Sequence, residues 1–176
     1  MKTLVIHPFD LSTLFLCSIY LNMDDCTVIR SNVSNKELIR LIDLNDRIIM
    51  LGHGTELGLI GFNKTKYVIN SKHINLLKTK ECICVWCNAD IFVRENNLSC
   101  SLHTGMIVSD LDEAITYSLV DGNVYEASKN AVLSNLLLAK SIKEALINND
   151  LSSITDTYKS DDNQIVLFNM KNIFIK

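Results

Sequence analysis

Two short runs constrain this chain more than any other feature: residues 47–51 (RIIML) and residues 81–86 (ECICVW) are apolar at every position after the first. A strand with one wet face alternates apolar and polar residues, so runs apolar on both faces belong to the buried centre of a parallel sheet. They are too short for a buried helix. Residues 3–7 (TLVIH) make a third such run, ending at Pro8. Each parallel connection requires a crossover, so helices must lie on the faces of the sheet.

The rest of the pattern fits that frame. Residues 12–22 read as a helix burying Leu14, Phe15, Ile19 and Leu16, and residues 26–30 as a second strand. Ser34 and Glu37 form a capping box that opens a helix through Leu44. Residues 57–62 and 67–69 read as a small hairpin, and Ser71 caps a short helix through Leu77, with His73 in solvent. A helix over 89–96 follows, then a fifth strand over 105–108 and a helix capped by residues 109–112. Residues 133–139 are helical, Ser141 and Glu144 form another capping box, and residues 164–168 and 172–175 read as closing strands.

The chain of 176 residues is one domain by size, and its single proline marks no linker. A formal net charge of −3, with lysines and arginines scattered, argues against a nucleic-acid surface. No apolar run reaches the ~20 residues that span a bilayer, and the first residues lack a secretory leader, so a cytoplasmic location is expected. In that setting the six cysteines read as thiols.

Ligand sites of parallel sheets lie at the C-terminal strand edge, where His7, His53 and Cys87 should emerge. Strands sit about 4.8 Å apart, so an imidazole and a thiol ending adjacent strands share one crevice. There the imidazole can take the thiol proton, which makes a nucleophile. Gly54 lacks a Cβ, and its N–H together with that of Cys87 would form a two-donor oxyanion hole. Asp10, Glu56 and Asp90 lie near the same edge and read first as solvated loop carboxylates, with orienting His53 or binding substrate as the alternative. The Cys84, Cys87, Cys100, His103 spacing matches a structural zinc site. Its first pair, however, brackets Val85 and Trp86 in an apolar run instead of a tight turn, and no metal or other cofactor is expected.

The block from Ile48 to Gly54, a hairpin, a helix, and the run from Cys82 to Cys87 together resemble the caspase-like cysteine peptidases. The short bacterial branch similar to CHAT and separase domains is the nearest likeness, and residues 86–90 are also similar to a stretch of small bacterial and phage proteins. Residues 104–109 with 112–114 look like that family's fifth strand and next helix, residues 136–146 like its late helix pair, and residues 164–168 like its final strand. The resemblance implies a three-layer αβα sandwich with a mostly parallel central sheet and a small hairpin excursion, spanning residues 1–176. It also implies a catalytic histidine before glycine after strand three and a cysteine after strand four, His53 and Cys87 here. The expected activity is a cysteine-dependent endopeptidase acting on a peptide or protein. Val85 would line the pocket for the substrate residue, with no preference for a basic one. Trp86 stands where the family has a small residue and would crowd the crevice; His7, Asn88 and Asp90 complete the expected pocket. The alternative expectation is an inactive caspase-like module that binds a nucleotide or partner protein in the same crevice.

Overall fold

A computed structural model describes residues 1–62, 64–120, 122–158 and 163–176, with the side chains of 155–158 left aside. Six strands form the main sheet, in the order β2-β1-β3-β7-β8-β9. They are β1 (Thr3–Ile6), β2 (Cys26–Ile29), β3 (Arg47–Leu51), β7 (Glu81–Val85), β8 (Cys100–Thr104) and β9 (Ile173–Ile175). The first five run parallel and β9 closes the edge antiparallel to β8. A second sheet of β4 (Gly54–Thr55), β5 (Gly58–Ile60) and β6 (Tyr67–Asn70) is inserted between β3 and β7.

The two-sided apolar runs occupy the centre, as their composition requires. Leu4 to Ile6, Ile48 to Leu51 and Cys82 to Cys84 are fully buried. Alternation sorts their side chains between two cores. On one face Ile48, Met50, Cys82, Cys84 and Trp86 pack against α2 (Asn35–Asp43), α3 (Ile74–Leu77) and α4 (Ala89–Glu95). On the other, Ile49, Leu51, Ile83 and Val85 pack against α1 (Cys17–Tyr20) and the 25-residue α6 (Val124–Asn148). A third cluster, with Ala114, Ala131 and Ile165, joins α5 (Leu111–Thr116) and α7 (Gln164–Lys171) to α6. The architecture is therefore mixed α/β, with a mostly parallel sheet between helices. No described helix is long and apolar enough to cross a membrane.

Several local expectations are corrected. The fifth strand is residues 100–104 instead of 105–108: Cys100, Leu102 and Thr104 alternate inward, a half-buried pattern weaker than the apolar GMIV run beside it. Residues 164–168 form helix α7, opened by Asn163, whose side chain accepts from the N–H groups of Ile165 and Val166. Ser141 caps nothing; it lies inside α6, its hydroxyl donating to Leu138 O at 3.0 Å. The helix instead begins at Asn123, so the late helices are one. Asn70, not Ser71, caps the 3-10 turn Ser71–His73 before α3. His73 is buried, its ring accepting from Asn70 N–H and meeting Asn35 Oδ1. Residues 14–20 form a 3-10 turn and a short helix that bury Leu16 and Ile19 but leave Leu14 exposed.

The segment 105–109 lies outside the strands: Gly105 still exchanges backbone bonds with Asn172 and Asn88, and the backbone of Val108 and Ser109 is satisfied by side chains. Asn169, fully buried on α7, accepts from Val108 N–H and donates to Val108 O, each at 2.8 Å, and also donates to Ser134 Oγ. Asn135 donates to Ser109 O, and Glu113 accepts from Ser109 N–H. Replacing Asn169 by Ala strands a buried N–H and C=O, each worth about 1–3 kcal/mol unpaired. Asn169→Ala should therefore lose about 3 kcal/mol of stability in urea unfolding, and an unchanged midpoint would show the amide to be dispensable.

Candidate functional site

β3 and β7 are neighbours in register, Leu51 opposite Val85. Gly52 N–H donates to Val85 O at 3.1 Å, the last rung before both strands open into loops. His53 follows that rung on one side and Cys87 on the other. Both continue the alternation of Leu51 and Val85, which puts them on the α6 face of the sheet. They line one narrow crevice, walled by Phe15, Leu16, Val85, Ile107 and Leu138, with Thr13, Ser109 and Glu113 as polar lining. The sequence-predicted pair thus shares a pocket.

Thr104 fixes the peptide before Cys87: its buried hydroxyl accepts from Trp86 N–H at 3.1 Å and donates to Trp86 O at 2.8 Å. Cys87 itself is partly buried, and its thiol donates to Ile107 O at 3.6 Å. Burial pushes this thiol's pKa up, and the Glu113 carboxylate pushes it further. The resting group is a protonated thiol facing the 105–109 wall, and no His53–Cys87 hydrogen bond is present among the described residues.

His53 is more exposed, and its Nε2 lies 2.7 Å from Ser12 Oγ. Ser12 in turn donates to Asp10 Oδ1 at 2.6 Å, and its backbone N–H donates to the same oxygen at 3.0 Å. Lys64, from the β5–β6 loop, reaches Asp10 Oδ2 at 2.6 Å. The Lys64 ammonium, and then the Ser12 hydroxyl, hold the Asp10 carboxyl well below the usual carboxylate range. Of the carboxylates near the edge, Asp10 is the one brought to His53. Ser12 was missed because a lone loop serine carries no pattern; the Asp-x-Ser spacing of an Asx turn was the available signal.

The other expected pocket residues fall as follows. Val85 lines the crevice; Trp86 borders it but turns its indole to the opposite face, where Nε1 donates to Thr55 O at 3.1 Å. A Cβ on Gly54 would come within 2.0 Å of that indole, so close packing by itself requires glycine there. Asn88, at φ 66°, is the N-cap of α4, and Asp90 lies in that helix's first turn. His7 is 1% exposed and outside the crevice lining, bound to Tyr20 OH and Thr13 Oγ1. The zinc spacing does not converge: Cys84 meets Cys100 at 3.4 Å in one core, while Cys87 faces the other and His103 stacks on Phe174. No cluster of three or more metal-ligating side chains occurs among the described residues. Compared with known proteins, the chain matches no family model, no curated protein and no solved structure.

Burial, reinforced by the Arg30 charge, lowers the pKa of His7 from 6.5 to about 4. The unfolded chain therefore takes up this proton first as pH falls, and stability is lost across that window. The shift corresponds to about 3 kcal/mol. Unfolding free energy should rise by about that amount from pH 4 to 6.5 through this group, and His7→Gln should flatten the profile by the same amount. Parallel wild-type and variant profiles would contradict the assignment.

Proposed function

We propose that this chain is a cysteine-dependent hydrolase with a His53/Cys87 dyad, an endopeptidase acting on a peptide or protein, on a caspase-like αβα scaffold. The observation that carries the reading is the shared crevice: a thiol and an imidazole leave adjacent parallel strands and line the same pocket. Their chain order supports it as well, since His53 precedes a glycine after the third strand of the main sheet and Cys87 follows the fourth, with a small three-stranded sheet between them.

In this reaction a substrate entering the crevice displaces the thiol from Ile107 O, and His53 takes the proton. The Cys87 thiolate adds to the peptide carbonyl carbon, and the oxyanion is received by the N–H groups of Gly54 and Cys87. Collapse breaks the C–N bond, His53 returns its proton to the leaving amine, and a thioester remains on Cys87. Water, deprotonated by His53, then hydrolyses the thioester and restores the thiol.

A second reading, a caspase-like module that binds a nucleotide or partner protein without turnover, draws on the resting thiol. Its proton is held by a carbonyl and its pKa is raised, the opposite of an activated cysteine.

Alkylation separates the two. Iodoacetamide, followed by peptide mass mapping, should modify Cys87 ahead of the other five cysteines, and His53→Gln should slow that step about 10²-fold. Turnover of a fluorogenic peptide library should fall about 10²-fold or more in Cys87→Ala, the scale of losing a catalytic group. Indifference of Cys87 labelling to His53, with turnover unchanged in Cys87→Ala, rejects the enzyme and leaves the binding module.

A further inference from the structure

The Asp10–Ser12 pair lies outside the dyad and outside the crevice lining, yet among the described residues Ser12 makes the one side-chain hydrogen bond to His53. The proton arrangement there follows from chemistry. Asp10 is ionised, since Lys64 pairs with Oδ2 at 2.6 Å and holds its carboxyl low, and an ionised carboxylate only accepts. The hydroxyl proton of Ser12 is therefore committed to Asp10 Oδ1, at 2.6 Å. The Ser12 oxygen, 2.7 Å from Nε2, must then accept from the ring. A neutral imidazole carries one N–H, so a proton on Nε2 leaves Nδ1 as the lone-pair nitrogen.

We infer that Asp10, acting through the Ser12 hydroxyl, is the positioning group of His53, fixing the Nε2–H tautomer and leaving Nδ1 as the base. The inference rests on the reading of His53 as the partner of Cys87. Asp10 does not hold the ring directly: Oδ1 lies 3.6 Å from Nε2, beyond hydrogen-bond length. The serine bridges that gap. Its backbone N–H donates to the same carboxylate oxygen at 3.0 Å, so the bridge is set by an Asx turn before the ring arrives.

The geometry also excludes Ser12 as a nucleophile activated by His53. A serine nucleophile must give its proton to the imidazole, whereas this hydroxyl gives its proton to a carboxylate and receives one from the ring. When His53 takes the Cys87 proton on Nδ1, the imidazolium has a carboxylate charge one hydroxyl away. That is the relation of orienting acid to base seen in triads, here with a serine inserted. Lys64 comes from the loop of the inserted sheet, so the same chain segment that separates β3 from β7 also keeps the orienting carboxylate charged.

The test uses the full chain with 15N-labelled histidine, read by the ring nitrogen shifts of His53 at a pH where the ring is neutral. The wild type should show a single Nε2–H tautomer. Ser12→Ala and Asp10→Ala should each give a mixture of tautomers, and Ser12→Thr, which keeps the hydroxyl, should restore the wild-type pattern. Alkylation of Cys87 should slow about tenfold in the two alanine variants and recover in Ser12→Thr, a smaller loss than the ~10²-fold expected for removing the base itself. An Nδ1–H tautomer in the wild type, or unaltered shifts in both alanine variants, overturns the inference. A Cys87 rate that is the same in wild type and His53→Gln overturns the dyad instead, and leaves the tautomer result standing. Ser12 is exposed and Asp10 is partly buried on the same loop, outside both cores, so both variants are expected to fold, which circular dichroism checks.

Discussion

The pairing of β3 with β7 is the constraint on which the rest of the structure depends. Both strands are buried on both faces, so each side chain contributes to one of two cores, at about 1.5–3 kcal/mol for a fully buried aliphatic residue. A parallel pair must be joined by a crossover, and here the crossover carries the inserted sheet and α3. A slip of one residue would exchange the two faces, sending Trp86 toward α6 and Cys87 toward α4. Register, core and site are thus one decision: the Leu51–Val85 alignment that buries the strands also delivers His53 and Cys87 to the same side.

The wall opposite that pair is built by a different principle. Beyond Gly105, segment 105–109 leaves the sheet, and amides and a carboxylate from three helices take the polar groups of Val108 and Ser109: Asn169 on α7, Asn135 on α6 and Glu113 on α5. Fixing this segment creates the crevice and also aims Ile107 O at the Cys87 thiol. Burial behind this wall holds the sulfur protonated at rest. Glu113 adds to this twice, as a ligand of the wall and as a negative charge beside the thiol. Reactivity in such a site would be drawn out by a ligand that displaces the thiol from the carbonyl, which couples turnover to occupancy.

Much of this was legible in the sequence where apolar patterning decides the outcome. Residues 47–51 and 81–85 are strands as read, and the cap at Ser34 accepts from Glu37 N–H as expected, although the Glu37 carboxylate pairs with Arg40 instead of closing the box. Reading failed where tertiary partners replace local pattern. The GMIV run looked like a strand because its apolar character was visible, but its hydrogen-bond partner, Asn169, lies 61 residues further on. Residues 164–168 looked like a strand from β-branched content, whereas burial of Ile165 and Val166 together with Asn169 one turn on, and an Asn163 cap, make a helix of them. His73 looked solvated because its partners, Asn35 and the Asn70 backbone, come from separate elements. At the site, the two strand-end residues were visible and the orienting loop was not, since nothing in the sequence distinguishes an Asx turn that meets a histidine from one that meets solvent.

Trp86 illustrates how alternation decides the meaning of a bulky residue beside a candidate nucleophile. Read linearly, a tryptophan next to Cys87 crowds the crevice. Consecutive strand residues point to opposite faces, so the side chain adjacent in sequence is the one farthest from the site in direction. The indole is spent on the other core, where it meets Phe92 edge-on and donates to Thr55 O. Its cost falls on Gly54, which must lack a Cβ to let the ring lie beneath it. The glycine after His53 is therefore required by packing before any question of an oxyanion arises, a requirement that a hydrolase and a binding module would share. This is why side-chain chemistry at His53 and Cys87, and not the presence of glycine, discriminates the two readings.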